Sequence, residues 1–174
     1  LGMTGYVIDA ASCIMLGLAN AMVPSQKIDM LKNALVGCKA GEIDDIISSY
    51  QTDPGFPTLN QHMPSISYIF GGDGTPEDMF GHAKDLMNSR PNDPFVKQVV
   101  NAFSEGCPMS IKVFWRLLEV ADSFTTADEA ISFDFHLAIR MIRRSDFIEG
   151  VRALLVDKDK TPKWSPNRLE LIDD

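Results

Sequence analysis

Only three of the 174 residues are cysteine, Cys13, Cys38 and Cys107. Odd in number and without CxxC spacing, they indicate neither a disulfide framework nor a zinc site, and a reducing compartment fits them best. Histidine is as scarce: His62, His82 and His136 share no HxxxH or HExxH spacing and have no nearby cysteine, so no metal-ligand pattern is present. Basic residues are in deficit, 16 Lys+Arg against 24 Asp+Glu, for a formal net charge of -8. Phosphate neutralisation needs a clustered basic face, which argues against nucleic acid as a partner. No apolar run approaches the roughly 20 residues of a membrane-spanning helix. No GxSxG elbow presents a serine nucleophile. Period-two alternation never extends beyond four residues, and there is no internal repeat or low-complexity tract. An initiating Met and a basic leader are also lacking: the chain opens on Leu1 and reads as though cut from something longer.

What is present is helical patterning in a chain that is 45% hydrophobic and long enough to bury a core. Asp9 is placed to cap a helix carrying Ala10, Ala11, Ile14, Met15 and Leu18, with Gly17 near its end. Ala21, Met22 and Val23 precede Pro24 as an extended tripeptide, and Ser25 is placed to cap a second helix with Ile28, Leu31 and Leu35 on one face and Gly37 as its stop. A short third helix runs from Glu42 to Tyr50. Breakers follow at Asp53-Pro54-Gly55-Phe56-Pro57 and at the GGDGTP stretch, Gly71 to Pro76, with a weak segment of Ile66, Tyr68, Ile69 and Phe70 between them. Thr75 suits an N-cap and Pro76 the first helical position, while Glu77 and Asp78 oppose the helix dipole. Further helices are predicted over Asp93 to Glu105, Pro108 to Asp122 and Thr126 to Arg144, the last with a Thr126-x-x-Glu129 capping box.

The fold class is therefore mainly α. Three segments divide the chain: 1–50, connecting helices; 51–90, a loop-rich joint and a helix; and 91–174, a helical region. The longest helix is apolar on most sides, with Ile131, Phe135, Ala138 and Ile142 in one row and Ala130, Phe133, Leu137 and Met141 beside it. Such a helix is expected inside a larger body.

Candidate chemistry is thin. The GGDG loop lacks the lysine and hydroxyl of a P-loop and reads as a turn. His136, between Phe135 and Leu137, reads as a packed helix residue. The stretch FIEGVRALLVDKDKTPKW, Phe147 to Trp164, gathers three acids, Glu149, Asp157 and Asp159, and paired carboxylates are what general acid–base work requires. Yet Asp146-x-x-Glu149 is also a cap arrangement, and Glu149 with Arg152 makes an i,i+3 ion pair, so the structural reading is preferred. Lys158, Lys160 and Lys163 with Trp164 form a basic and aromatic patch able to meet a phosphate and stack on an adenine, or simply a solvated helix exit. From the residues alone, no self-contained active site emerges.

FIEGVRALLVDKDKTPKW closely resembles the C-terminal signature of the 3-hydroxyisobutyryl-CoA hydrolase family, a branch of the crotonase (enoyl-CoA hydratase/isomerase) superfamily. LGMTGYVIDAASCIMLGLANAMVP is similar to another segment of that family through Leu1, Thr4, Gly5, Gly17, Leu18 and Ala19. The helical stretch from Pro108 to Phe147 carries the likeness through Pro108, Ser110, Lys112 and Arg144. The resemblance spans nearly the whole chain, with 51–90 matching in pattern only, and corresponds to the family's C-terminal half.

It implies the helical C-terminal region of a crotonase-like α/β fold without the N-terminal β-spiral. In that family the oxyanion hole and the catalytic carboxylates lie upstream of the part matched here, which implies no catalytic residue in this chain. The implied function is the C-terminal part of a CoA-thioester hydrolase acting on 3-hydroxyisobutyryl-CoA in valine catabolism, inactive without its other half. Enoyl-CoA hydration or isomerisation is an alternative, and so is a non-catalytic scaffold. Lys158, Lys160 and Trp164 are the CoA-contact candidates. Neither a metal nor a cofactor beyond the substrate's own CoA is expected. Implied partners are the N-terminal core, an acyl-CoA and possible further copies of the chain, with no nucleic acid or membrane. The implied location is the mitochondrial matrix in a eukaryote or the cytoplasm in a bacterium.

Overall fold

A computed structural model describes residues 1–173, and among them the regular structure is helical, with no strand. The chain divides into two compact units, Val7–Pro64 and a larger one comprising Leu1–Tyr6 and everything from Ser65 onward.

In the Val7–Pro64 unit, Asp9 caps α1 (Ala10–Met15) by accepting from the Ser12 amide at 2.6 Å. Its other oxygen takes the Thr58 amide at 3.1 Å and the Thr58 hydroxyl. Hydrogen bonds from Thr58 first, and then from Ser12, hold this carboxyl well below the usual carboxylate range. Buried Ser12 accepts the Leu59 amide at 3.1 Å, so α1 and the 58–62 turn share one polar joint between Ala11 and Leu59. Gly17 and Gly37 follow α1 and α2 (Ile28–Leu35) with left-handed φ of 72° and 81°; Gly37 is the stop expected of it, whereas α1 ends at Met15, short of Leu18. Ser25, however, does not cap α2. A 3₁₀ turn over Ser25–Lys27 comes first, with the Lys27 amide donating to the Pro24 carbonyl at 2.8 Å, and α2 starts at Ile28 without a side-chain cap. A similar turn over Ala40–Glu42 moves the start of α3 (Ile43–Tyr50) one residue beyond Glu42.

In the larger unit, the weakly patterned 66–70 segment proves helical. It belongs to α4 (Met63–Phe70), where Ile69 is fully buried. Thr75 and Asp78 close a capping box on α5 (Pro76–Ser89), and the Asp93 carboxylate caps α6 (Pro94–Glu105) through the Phe95 and Val96 amides at 2.9 and 3.3 Å. With α7 (Pro108–Ala121) these helices bury Ile69, Met79, Ala83, Phe95, Val96, Val99, Phe103, Ile111 and Leu169 together. Phe103 stacks against Phe80 and Phe70 at centroid distances of 5.5 and 6.3 Å. Lys112 pairs with Glu77 at 2.8 Å, tying α7 to the first turn of α5.

Beyond this core lie α8 (Ala127–Ile142), α9 (Ser145–Val151) and a π-helical turn over Arg152–Val156. No residue of α8 is buried. Ile131, Phe133, Phe135 and Ile142 are exposed, so the rows expected inside a larger body stand open here. For the same reason His136 is not a packed residue: its ring is exposed, and Nδ1 donates to the Ser132 carbonyl at 2.7 Å. No helix among the described residues is long and apolar enough to cross a membrane.

Candidate functional site

Arg152 opens the π turn, and its guanidinium gathers the acids of the signature stretch. Nε and Nη2 donate to the two oxygens of Glu149 at 2.9 and 2.8 Å, a bidentate pair. Nη1 donates to Asp157 at 2.6 Å and Asp159 at 2.7 Å, and Nη2 also reaches the Thr161 carbonyl at 3.3 Å. One cation thus faces three carboxylates. The Arg152 hydrogen bonds, aided by the Lys163 amide, hold Glu149 down at about 2. Asp159 is lowered by Arg152 and the Thr161 amide, and Glu149 with the two aspartates raises Arg152 further. A carboxylate pinned as an anion accepts hydrogen bonds but is a poor proton carrier near neutral pH. This geometry makes the cluster an anchor.

What it anchors is the chain's return path. Glu149 accepts the Lys163 amide at 2.7 Å, Asp159 the Thr161 amide at 2.8 Å and Asp146 the Ser165 amide at 2.8 Å. Trp164 donates from its indole to the Glu105 carbonyl at 2.8 Å, pinning the tail to the end of α6. Asp146 and Glu149 are therefore not helix caps as the spacing predicts. The N-cap of α9 is Arg144, which makes no side-chain cap bond, because both acids are taken by tail amides and by Arg152. Gly150 leaves room for the indole: a Cβ there would lie 3.2 Å from Trp164 Cη2.

Asp157 and Asp159 both reach Arg152 only if the backbone between and after them turns sharply. Lys158 and Lys160 accordingly adopt left-handed φ of 57° and 56°, a conformation held in place by its surroundings. Both lysines are exposed, Trp164 is half-buried with its N–H committed, and Lys160 and Trp164 line a common hollow that Lys158 does not.

That hollow, about 600 Å³, lies among the end of α8, α9, the π turn, the tail, and Cys107 and Ser110 at the start of α7. Its walls are mainly apolar, from Met141, Phe147, Val151, Leu154 and Pro162. Arg144 and Asp146 also line it, and within these side chains Nε and Oδ2 are buried without a hydrogen-bond partner. Of the positions carrying the family likeness, Ser110 and Arg144 line the hollow, Pro108 is buried at the head of α7, and Lys112 pairs with Glu77.

The histidines do not converge. His62 lies beside Gln61 in the Val7–Pro64 unit, His82 against the Tyr68 ring, and His136 on the open face of α8. Among the described residues no group of three His, Cys, Asp or Glu is arranged to hold a metal ion. The roles of Asp146 and of the Trp164–Glu105 bond escape a sequence reading, since their partners lie 19 and 59 residues away.

The model of the enoyl-CoA hydratase/isomerase family matches residues 1–174. The chain belongs to the enoyl-CoA hydratase/isomerase family. Within that family it is similar to the mitochondrial 3-hydroxyisobutyryl-CoA hydrolases of Gallus gallus and Dictyostelium discoideum, at 28% identity in each case. The alignments cover 100% and 99% of this chain but 46% and 45% of those proteins. The human counterpart is also 28% identical over 99% of the chain. The chain spans about half the length of the curated relatives it matches. The crystal structure of a carnitinyl-CoA dehydratase from Mycobacterium thermoresistibile superposes with a TM-score of 0.78. It is 22% identical, over 99% of this chain and 47% of that one, which establishes the fold. The helices described here correspond to the helical C-terminal region of this enoyl-CoA hydratase/isomerase fold.

Proposed function

We propose that this chain is the C-terminal helical part of a CoA-thioester hydrolase acting on 3-hydroxyisobutyryl-CoA, a step of valine catabolism. The observation that carries the reading is end-to-end similarity to hydrolases of that name from animals and an amoeba. In this reading the oxyanion donors and the reacting carboxylate belong to the other half of the enzyme, since the acids of the signature are occupied by Arg152. The chain's own work is to close the enzyme: Arg152 folds the tail back, and Lys158 and Lys160 offer charge, and Trp164 an aromatic face, to the CoA moiety. No cofactor beyond the substrate's CoA is called for. Partners are the complementary half, the acyl-CoA and, in the assembled enzyme, further copies. The location follows the mitochondrial relatives in a eukaryote, and is the cytoplasm in a bacterium.

The test is a fusion in which this chain replaces the matching portion of the Gallus gallus hydrolase. CoA release from 3-hydroxyisobutyryl-CoA is expected, and replacing both Lys158 and Lys160 by Ala should raise KM several-fold with kcat little changed. Hydration of an enoyl-CoA without CoA release would instead favour the reaction in the family's description.

A further inference from the structure

Every N–H of the Arg152 guanidinium is committed. Nε and one Nη2 hydrogen go to Glu149, the other Nη2 hydrogen to the Thr161 carbonyl, and the two Nη1 hydrogens to Asp157 and Asp159. These acceptors are unequally exposed: the Glu149 side chain is 21% accessible, against 51% for Asp157 and 40% for Asp159. A further anion arriving at this cation therefore displaces the singly bonded, better hydrated aspartates before the bidentate Glu149.

A hydroxyl stands where such an anion can be built. Thr161 is exposed in the non-helical stretch 158–164, with its carbonyl 3.3 Å from Arg152 Nη2 and its amide on Asp159. Pro162 follows it, and Lys163 lies two residues on. An exposed threonine outside regular structure and directly before a proline is what proline-directed serine/threonine kinases accept. Two other hydroxyl residues precede a proline, Thr75 and Ser165, and the fold ties both down. The Thr75 hydroxyl is used within the capping box of α5, ahead of a buried Pro76. Ser165 is held through its amide by buried Asp146, next to a Trp164 fastened to Glu105.

We propose that Thr161 is a phosphorylation site, and that its phosphate takes Arg152 Nη1 from Asp157 and Asp159 and frees the 157–161 loop. In the transfer, Thr161 Oγ1 bonds to the γ-phosphorus of ATP and the bond from that phosphorus to the β,γ-bridging oxygen breaks. ADP leaves, and the hydroxyl proton passes to the kinase's carboxylate base. The phosphate carries a charge of about -1.5 to -2 beside Asp159, so repulsion acts in the same direction as the competition for Arg152. Glu149 keeps the Lys163 amide and Asp146 the Ser165 amide, so the change stops at the loop that carries Lys158 and Lys160. None of this depends on the reaction proposed above.

The test treats the purified full chain with a mitogen-activated protein kinase and ATP. One phosphate is expected on Thr161, absent from Thr161→Val and retained by Ser165→Ala. In the modified chain, amide exchange followed by NMR should be at least tenfold faster at Thr161, with the Lys163 and Ser165 amides unchanged. Phosphorus-31 NMR should place the second ionisation of the phosphate below its ordinary value of about 6, and return it there in Arg152→Gln. The exchange comparison uses no Arg152 variant, so it decides the matter even where that variant folds poorly. Labelling of Ser165 in place of Thr161, or no labelling, would overturn the site. Unchanged exchange at Thr161, or an ordinary phosphate ionisation with Arg152 in place, would overturn the displacement of Asp157 and Asp159.

Discussion

Arg152 and Glu149 set the behaviour of the signature stretch one residue at a time. Glu149 falls from an ordinary value of 4.5 to about 2, so its contribution to folding is complete above about 4.5 and is lost as pH falls toward 2. In a Trp115→Phe background, where Trp164 is the remaining indole, fluorescence should report release of the tail over that interval. Glu149→Gln should remove the step, and a step of unchanged size would refute the assignment. Arg152→Leu leaves Glu149, Asp157 and Asp159 facing one another without a cation, so proteolysis after Lys158 and Lys160 should accelerate while the far-UV circular dichroism of the main helices persists. Sequence spacing exposes the Glu149–Arg152 pair because i,i+3 is a local relation on a helix. It cannot expose Asp146, whose amide partner sits on the returning tail, and it misreads that acid as a cap.

Helices were legible wherever a cap and an apolar stripe coincide, as at Asp9, Thr75 and Thr126. They were least legible where tertiary contact supplies the order: α4 has no cap signal in the sequence, yet Ile69 within it is fully buried. The start of α2 slipped because a 3₁₀ turn met the first amides in place of Ser25. Two substitutions test the elements directly in urea titrations. Thr75→Ala removes the oxygen that accepts the Asp78 amide and should cost about 1 kcal/mol, the usual worth of an N-cap. Phe103→Ala, emptying the centre of the aromatic stack, should cost about 3–5 kcal/mol. On α8 the exposed Ile131 and Phe135 contribute nothing to the chain's own core, so replacing both by Lys should leave its melting temperature nearly unchanged while reducing binding of a hydrophobic dye.

Across the molecule, the helical character of the chain was legible in the sequence, because it depends on apolar spacing and on the lack of strand-like alternation. What the sequence could not show was how its acids are spent, since a cluster of carboxylates looks the same whether it carries protons or holds a tail. Arg152 holds these acids as tail anchors, which supports the proposal that this chain provides a closing and docking surface for chemistry performed elsewhere in the enzyme. The most direct measurement is thiol release from 3-hydroxyisobutyryl-CoA, by the purified chain alone and by the same chain joined to the complementary segment of the Gallus gallus hydrolase. The account predicts no release above the uncatalysed rate from the chain alone and sustained turnover from the joined form. Turnover by the chain alone, lost on substitution of Glu149, Asp157 or Asp159, would contradict it.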